Sequence, residues 1–252
     1  MAIKIFKKDN QANGNFNGGE ILEKKPIGFP QDGGVLRPYS NLFYWAHAWA
    51  PKNDSIIGLH PHRGFEICSF ILKGEIEHYD TLLDKWITLK EGDVQVIKAG
   101  KGISHSEKLK KDSEIFQIWF DPNLHESLYE EANYSDYKSE IFSIKKQDGK
   151  ETKIISDNNN QIGLKSDSIQ IYQHSFTRGI YSHEISQDRF HSIFIQHGIL
   201  KINDETYNHG DFLIVDNEND LGIEIISDAI VFEIISLIEL SYKTYAEMHN
   251  IS

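Results

Sequence analysis

Runs of β-branched and aromatic residues alternate along the first half of the chain with polar residues that favour turns. The clearest runs are residues 65–80, 85–107 and 113–122, which are interrupted by Lys-Gly, Glu-Gly-Asp and Ala-Gly-Lys-Gly sequences. Closely spaced strands and turns of this kind are typical of a β-sandwich or a small barrel. The pattern therefore predicts an all-β domain.

A second series of apolar runs follows a polar and charged stretch that covers about residues 123–168. Within it, residues 197–215 repeat the order of strands and turns found in residues 73–97. We therefore predict a tandem duplication of one β unit. The predicted domains are residues 1–122 and 123–252, the second with a polar linker at its start and a short helix at its end.

The composition is that of an acidic globular protein. The 252 residues carry a formal net charge of −12, which the short basic cluster of Lys108, Lys110 and Lys111 does not offset. We therefore expect neither nucleic acid nor a membrane surface as a partner. No apolar run reaches the roughly 18 residues of a membrane span. Because Cys68 is the single cysteine and the first residues lack the apolar core of a secretory signal, we expect a cytoplasmic protein. We also expect a monomer, whose protein partners the sequence does not identify.

Two pairs of metal-ligand side chains occupy alternate positions of predicted strands. His60 and His62 are two residues apart, as are His105 and Glu107, and side chains two apart in a strand share a face. If the two strands meet inside a barrel, the pairs supply three imidazole nitrogens and one carboxylate to a common point, which predicts a metal site. Glu66, four residues after His62, is a fifth candidate, either as a ligand or as a hydrogen-bond partner of an imidazole.

A structural explanation of these residues competes with the metal site. A single histidine in a strand is more often structural or exposed than a ligand. Burying four such groups without an ion would leave several polar atoms without partners, and this favours a metal. Three histidines and one glutamate would complete a closed tetrahedral zinc shell. A six-coordinate ion such as Fe(II) would instead keep two positions for substrate and dioxygen.

The segments HPHRGFE, KGEIEHYD, EGDVQVIKAGKGISHSE and FQIWFDP occur in this order within residues 58–122. Together they resemble the N-terminal domain of the pirin family, which includes the pirin-like quercetin 2,3-dioxygenases. The resemblance implies a bicupin, that is, two tandem cupin (double-stranded β-helix) β-sandwich domains. It also implies one mononuclear metal ion, commonly iron, held by the positions matching His60, His62, His105 and Glu107. Glu66 matches a position that many other cupins use as a metal ligand. The resemblance implies that here it lies next to the ligands and does not bind the metal itself.

Other aromatic and histidine residues indicate a functional role less clearly. Phe43, Trp45, His47 and Trp49 alternate onto one face of a predicted strand, and such a stripe is more often core than the wall of a substrate pocket. His78 fits the family pattern but is equally consistent with a solvated strand end. The C-terminal half has no His-x-His pair, so we expect a degenerate cupin without metal. Five of its histidines are expected to be structural or exposed: His174, His183, His191, His197 and His209.

The resemblance implies metal-dependent oxygen chemistry. The preferred hypothesis is a dioxygenase that uses O2 to open the ring of a flavonol such as quercetin, or of a related enol-bearing aromatic. Glu107 would be a ligand and also the general base that accepts the substrate's hydroxyl proton. The preferred ion is Fe(II), with Zn, Ni, Cu, Mn or Co as alternatives. Rival hypotheses are a metal-binding regulatory or redox-sensing protein that acts through protein partners, and an oxygenase or isomerase for another small enol.

Overall fold

The computed structural model describes residues 2–251, which divide into two compact units. The first unit contains residues 11–141, 164–166 and 241–251, and the second contains residues 2–10, 142–163 and 167–240. Nearly all regular structure in both units is antiparallel β-sheet, which confirms the predicted all-β class. Among the described residues, no helix has the length and the apolar character needed to cross a membrane.

The first unit is built from two antiparallel sheets. The larger sheet consists of β2 (Ala12–Phe16), β3 (Ile21–Ile27), β4 (Leu42–Trp49), β6 (Glu66–Lys73), β9 (Val94–Lys98), β11 (Glu114–Phe120) and β12 (Asn133–Tyr137), in the order β12-β9-β6-β11-β4-β3-β2. The smaller sheet consists of β5 (Ser55–His62), β7 (Glu75–Asp80), β8 (Trp86–Lys90) and β10 (Ile103–Leu109), in the order β5-β10-β7-β8. Short helices follow at α1 (Leu124–Ser127) and α2 (Tyr245–Met248), and single 3-10 turns lie at Pro30–Asp32 and Ser139–Ile141.

The interior between these two sheets is apolar at one end and polar at the other. The apolar end is a buried cluster with side chains from both sheets, among them Ile71 and Ile115 from the larger sheet and Ile76, Leu89 and Leu109 from the smaller. Each buried side chain of this size contributes about 1.5–3 kcal/mol. At the polar end the same strands carry buried polar residues at alternate positions: Ser69, His78, Asp80, His105 and Glu107. Packing therefore fixes the strands at one end and aligns the polar side chains at the other.

A tight glycine turn leads the chain into β10. Gly100 has a φ of +50° and Gly102 a φ of +146°, both in the region that favours glycine. A Cβ on Gly100 would lie 2.5 Å from the carbonyl oxygen of Glu130. Residue 100 must therefore be glycine for the chain to turn here and direct His105 inward.

The second unit is one antiparallel assembly of nine strands. They are β1 (Ala2–Phe6), β13 (Ser143–Gln147), β14 (Lys150–Ser156), β15 (Gln170–Phe176), β16 (Gly179–Glu184), β17 (Arg189–Ile202), β18 (Glu205–Asn208), β19 (Phe212–Asp216) and β20 (Asp220–Leu237). The main order is β1-β19-β17-β20-β15-β14-β13, with β16 paired to β20 and β18 paired to β17. A 3-10 turn, Lys8–Asn10, follows β1. The long strands β17 and β20 pair along most of their length and surround a buried aliphatic core.

The units described above do not follow the predicted domain limits. The strand β1 pairs with β19 in the second unit, although its residues were predicted to belong to the first domain. The strand β12 pairs with β9 in the first unit, although its residues were assigned to the linker. Strand pairing depends on partners distant in sequence, which local composition does not report. The division of the chain into domains 1–122 and 123–252 therefore stays a prediction.

Candidate metal centre

Three histidines predicted as ligands lie together at the polar end of the first unit. The antiparallel pairing of β5 with β10 places His60 opposite His105, and His62 opposite Ile103. The three ring centroids are 4.4–4.8 Å apart. One nitrogen from each ring lies within 4.8 Å of the other two. The pairing that the sequence required for a common site is therefore present.

Glu107 lies beside this cluster, fully buried between the two sheets. The register of β10 against β5 shifts between His105 and Glu107, which is a β-bulge of the kind that redirects a side chain. Ser69 Oγ donates to Glu107 Oε1 at 3.1 Å, and Gln117 Nε2 donates to Oε2 at 2.7 Å. These donors hold the carboxylate in place without balancing its charge. The compact set of ligand nitrogens comprises the three histidines, and the carboxylate flanks that set.

Burial keeps the two inner imidazoles neutral. It lowers the pKa of His62 to about 3, reinforced by His105 and His60 and opposed by Glu107. It also lowers the pKa of His105 to about 2, reinforced by His60 and His78 and opposed by Asp80. Neutral imidazole is the form that binds metals. At neutral pH both rings therefore offer a lone pair.

The hydrogen bonds of the histidines suit a cation. His60 Nδ1 is 2.8 Å from the carbonyl oxygen of Gly58, which can only accept, so the proton lies on Nδ1 and Nε2 is free to bind. His62 Nε2 and His105 Nε2 face each other at 2.9 Å, so that one ring donates a hydrogen bond to the other in the metal-free protein, and a cation between them would replace that proton. His105 Nδ1 is buried without a hydrogen-bond partner among the described residues. These residues therefore have the donor chemistry of a divalent-metal site.

A buried His-Asp pair lies next to the cluster, and the sequence did not assign it a function. His78 and Asp80 are both fully buried, and His78 Nε2 is 2.8 Å from Asp80 Oδ2. In the β7–β10 register His78 is opposite Glu107, and Asp80 is opposite His105. The ring of His78 is 5.6 Å from that of His105. His78 is therefore not at a solvated strand end, and its position two residues from the buried Ile76 is the sequence signal that indicates this.

Glu66 has a structural position away from the imidazoles. Its Oε1 accepts the backbone N–H of Lys165 at 2.8 Å, and its Oε2 accepts from the backbone N–H and the hydroxyl of Ser166 at 2.8 and 2.7 Å. Both carboxylate oxygens thus bind the short segment 164–166 of the same unit. This bonding, rather than contact with an imidazole, accounts for the burial of Glu66, whose pKa is raised by desolvation.

The aromatic side chain against the cluster is Trp119 on β11. Its ring centroid is 4.7 Å from that of His62, with the two ring planes nearly perpendicular. In the predicted aromatic stripe, Phe43 and Trp45 are buried, and the ring of Trp45 packs edge-on against Phe116. The stripe is therefore mainly core. The aromatic side chain beside the candidate ligands, Trp119, comes from β11, a strand for which the sequence indicated no such role.

An open groove of about 480 Å³ reaches the cluster at His62. Its other lining residues include the exposed Arg63 and Lys101 and the polar side chains of Thr81 and Ser104. Lys101 also forms an ion pair with Glu131. Because two of the residues around this opening are cationic, the groove favours anionic or polar aromatic ligands over apolar ones.

The histidines of the C-terminal half divide into two groups. His197 is exposed and His209 bonds to the backbone carbonyl of Gln196, as expected for surface or structural residues. His174, His183 and His191 are instead buried and converge on Glu233. No signal of this convergence is visible in the sequence, because each of these side chains comes from a different strand.

Known proteins resemble the chain in both sequence and fold. The family model described as Pirin matches residues 36–120. Quercetin 2,3-dioxygenase of Escherichia coli strain K12 is 27% identical over 191 residues, which cover 70% of this chain and 77% of the relative. Pirin-like protein 2 of Arabidopsis thaliana is 37% identical over 98 residues, which cover 38% of this chain and 30% of the relative.

The fold is that of solved pirin structures. The bacterial pirin YhhW of Escherichia coli, solved in complex with nickel(II), aligns with a TM-score of 0.74 and 21% identity over 94% of this chain and 99% of that one. This likeness shows that the chain is a bicupin, with two tandem cupin domains. The family-model match spans the strands that carry His60, His62, His105 and Glu107. Sequence match, homologues and fold agree that residues 36–120 form a Pirin-family domain within this bicupin.

Proposed function

We propose that this protein is a metal-dependent dioxygenase that uses O2 to open the ring of a flavonol such as quercetin or of a related enol-bearing aromatic. The observation that carries the proposal is the convergence of three imidazoles beside a buried carboxylate, with one of them, His62, lining an open groove. The Escherichia coli relative named quercetin 2,3-dioxygenase supports the choice of substrate class.

We propose His60, His62, His105 and Glu107 as the metal ligands, with Fe(II) as the ion. With these four ligands a six-coordinate ion such as Fe(II) would keep positions for substrate and dioxygen, whereas a tetrahedral zinc shell would be complete. When bound, such an ion supplies Lewis acidity and one-electron chemistry toward an enol and dioxygen.

The residues of the chain would prepare the substrate for this chemistry. Arg63 and Lys101 at the groove would attract a polar, partly ionised polyphenol. Trp119 packs on His62, and it would keep this imidazole in one orientation and exclude water from that side of the ring. Glu107 would accept the proton of the substrate hydroxyl, because its carboxylate is held in place by Ser69 and Gln117 but has no cationic side chain bonded to it.

The proposal is tested by anaerobic reconstitution of the metal-free protein with Fe(II), followed by oxygen uptake with quercetin. We expect uptake to require both the ion and the flavonol. Replacing Glu107 by Gln should leave much of the bound metal but lower turnover about 100-fold, as expected for the loss of a general base. His62→Ala should lose the metal of this site and activity together, whereas the exposed His125→Ala in the same unit should lose neither.

Three outcomes would contradict the proposal or one of its parts. Retention of the metal of this site by His62→Ala would refute the ligand set. Stoichiometric metal without oxygen uptake on any flavonol would favour a regulatory or redox-sensing role through protein partners. Unchanged turnover in Glu107→Gln would assign proton transfer to another group.

We further propose that the protein is a cytoplasmic monomer that acts on a small aromatic molecule and O2, without nucleic acid or membrane. The acidic net charge of −12 disfavours polyanionic partners. The single cysteine, Cys68, is a buried free thiol, and burial raises its pKa, which suits a reducing compartment and makes it a poor nucleophile.

A further inference from the structure

Three buried histidines of the second unit surround one carboxylate. His174 Nε2 lies 2.9 Å from Glu233 Oε2, and His183 Nε2 lies 2.8 Å from Oε1. His191 Nδ1 lies 2.7 Å from the same Oε1. The side chains come from β15, β16, β17 and β20, so four strands deliver one atom or group each to a common point inside the sheet assembly.

Burying the carboxylate of this cluster has a large free-energy cost, which its neighbours must compensate. Glu233 has 1% of its surface exposed, and the neighbouring positions on its strand, Val231 and Ile235, are apolar and buried. A carboxylate in such surroundings requires compensation by charge or by several hydrogen bonds. A carboxylate with two or more imidazoles is also the donor set that divalent first-row metals prefer.

The hydrogen bonds on the far side of each ring distinguish a ligand from a supporting residue. The backbone N–H of Ser186 donates to His191 Nε2 at 2.9 Å, so the proton of His191 lies on Nδ1 and is donated to Glu233. His191 thus holds the carboxylate and cannot ligate through that nitrogen. His174 Nδ1 instead lies 3.0 Å from the hydroxyl of Thr152, which can accept a hydrogen bond from Nδ1–H, so that Nε2 can present a lone pair to an ion.

We propose that His174, His183 and Glu233 form a second divalent-metal site, separate from the candidate metal centre of the first unit, with His191 orienting the carboxylate. The two imidazole nitrogens and one carboxylate oxygen lie within 4.8 Å of one another. Two histidines and one carboxylate suit Fe(II), Zn, Ni and related ions. The chain would then bind two ions rather than the single ion expected from its sequence.

The surroundings of this second site favour a buried ion without an organic substrate. The adjacent cavity is apolar and has a volume of about 10 Å³, which is room for about one water molecule. Phe176, Leu200 and Leu213 close it. The role of such an ion would therefore be to neutralise Glu233 and connect the strands of the second unit.

Lys150 opposes the ion and sets its affinity. Its Nζ lies 3.2 Å from His183 Nδ1, and an ammonium there donates to Nδ1, which favours the proton on Nε2. Unlike the backbone N–H that faces His191, this flexible side chain can withdraw and release Nε2 for the ion. It also adds positive charge near the ion. We therefore expect the second site to bind more weakly than the first. Lys150→Met, which keeps the side-chain length but removes the charge and the donor, should bind the second ion about ten-fold more tightly.

Zinc binding to the full-length protein tests the proposal. The metal-free wild-type protein should bind two equivalents of Zn²⁺ in equilibrium dialysis, and the variant carrying both His60→Ala and His62→Ala should bind one. Adding His174→Ala to that variant should abolish binding. Adding the exposed His197→Ala instead should leave one equivalent, because this histidine lies outside the cluster.

A second measurement does not depend on the folding of the cluster variants. In the His60→Ala and His62→Ala protein, whose second unit is unaltered, Co²⁺ should give the visible absorption of a nitrogen- and oxygen-bound ion. Absence of this band and of any bound Zn²⁺ would overturn the proposal and leave a metal-free carboxylate bonded to three neutral imidazoles. Retention of the ion after His174→Ala and after His183→Ala in a folded protein would also overturn it. Neither measurement uses catalytic activity, so failure here is distinct from failure of the proposed dioxygenase function.

Discussion

The partner on the far side of an imidazole ring determines what the near side can do. The carbonyl of Gly58 accepts from His60 and leaves its other nitrogen free for a metal, whereas the N–H of Ser186 donates to His191 and fixes a proton on the nitrogen facing Glu233. Two histidines that look equivalent in sequence therefore have opposite chemical capabilities. Such partners are backbone groups, and they become identifiable only after the chain has folded.

The neutral histidines of the first unit predict an acid sensitivity of the metal-free protein. Burial lowers the pKa of His62 to about 3 in the folded state, against about 6.5 in the unfolded chain. Between these values the unfolded chain binds a proton that the folded chain does not, so stability is lost as pH falls from about 6.5 toward 3. This histidine alone should contribute a slope of about 1.4 kcal/mol per pH unit.

Urea unfolding of the metal-free protein between pH 7 and 5 measures this slope. His62→Gln removes the titrating group while keeping a polar side chain of similar size, so its unfolding free energy should fall less steeply on acidification. The exposed His125→Gln should retain the wild-type slope. Equal slopes in wild-type protein and His62→Gln would show that folding does not lower the pKa of His62.

At the scale of single strands, regular pairing is interrupted at a few positions that redirect the strand. The register of β10 shifts between His105 and Glu107, and that of β17 shifts around His197 and Ile199. In β17 the irregularity includes Gly198, whose φ is +86° and whose added Cβ would lie 2.4 Å from the carbonyl oxygen of Asp228. The bend there depends on this residue being glycine.

We predict that Gly198→Ala destabilises the protein by about 1–3 kcal/mol, because alanine at positive φ is strained and its methyl group meets backbone. Gly222→Ala on the paired strand is the control, since an added Cβ there would meet nothing within 4 Å. Thermal unfolding should show a clearly lower midpoint for the first variant and little change for the second. Equal midpoints would mean that β17 adjusts its bend without loss.

Strand-level signals account for what the sequence predicted and what it missed. His60, His62, His105 and Glu107 could be predicted as candidate ligands because each pair occupies alternate positions of one strand. The cluster around Glu233 was missed because its bonds to His183 and His174 join residues 50 and 59 positions apart. Trp119 and His78 were not assigned to the site because their contacts with the histidines depend on which strands face each other.

At the scale of the whole molecule, strands that pair within one unit come from distant parts of the chain. The first strand, β1, pairs with β19, and the side chains of Ile3 and Ile5 pack against the core of the second unit. Lys7 Nζ lies 3.2 Å from Asp211 Oδ2, which adds an ion pair to the ladder. An all-β fold could be predicted from local runs, but this pairing of distant segments could not.

Deleting residues 2–10 should selectively loosen the second unit. It removes the partner of β19 and leaves that strand as an open edge, which favours fraying and association. Hydrogen exchange should be faster at the amides of β19 that point toward β1, whereas the amides of β9 in the first unit should keep their protection. Unchanged exchange at β19 would show that β1 contributes little to its stability. Equal acceleration in β9 would contradict the prediction that the deletion loosens only the second unit.

The divided interior of the first unit also bears on how such a protein can change over evolutionary time. On β10, Leu109 belongs to the apolar cluster, whereas Glu107 and His105 belong to the candidate metal centre. Mutations at the polar end would leave the apolar cluster intact. The candidate ligands or the groove could therefore change during evolution without loss of the fold. New chemistry should therefore arise more readily here than in a protein whose reactive groups are spread through its core.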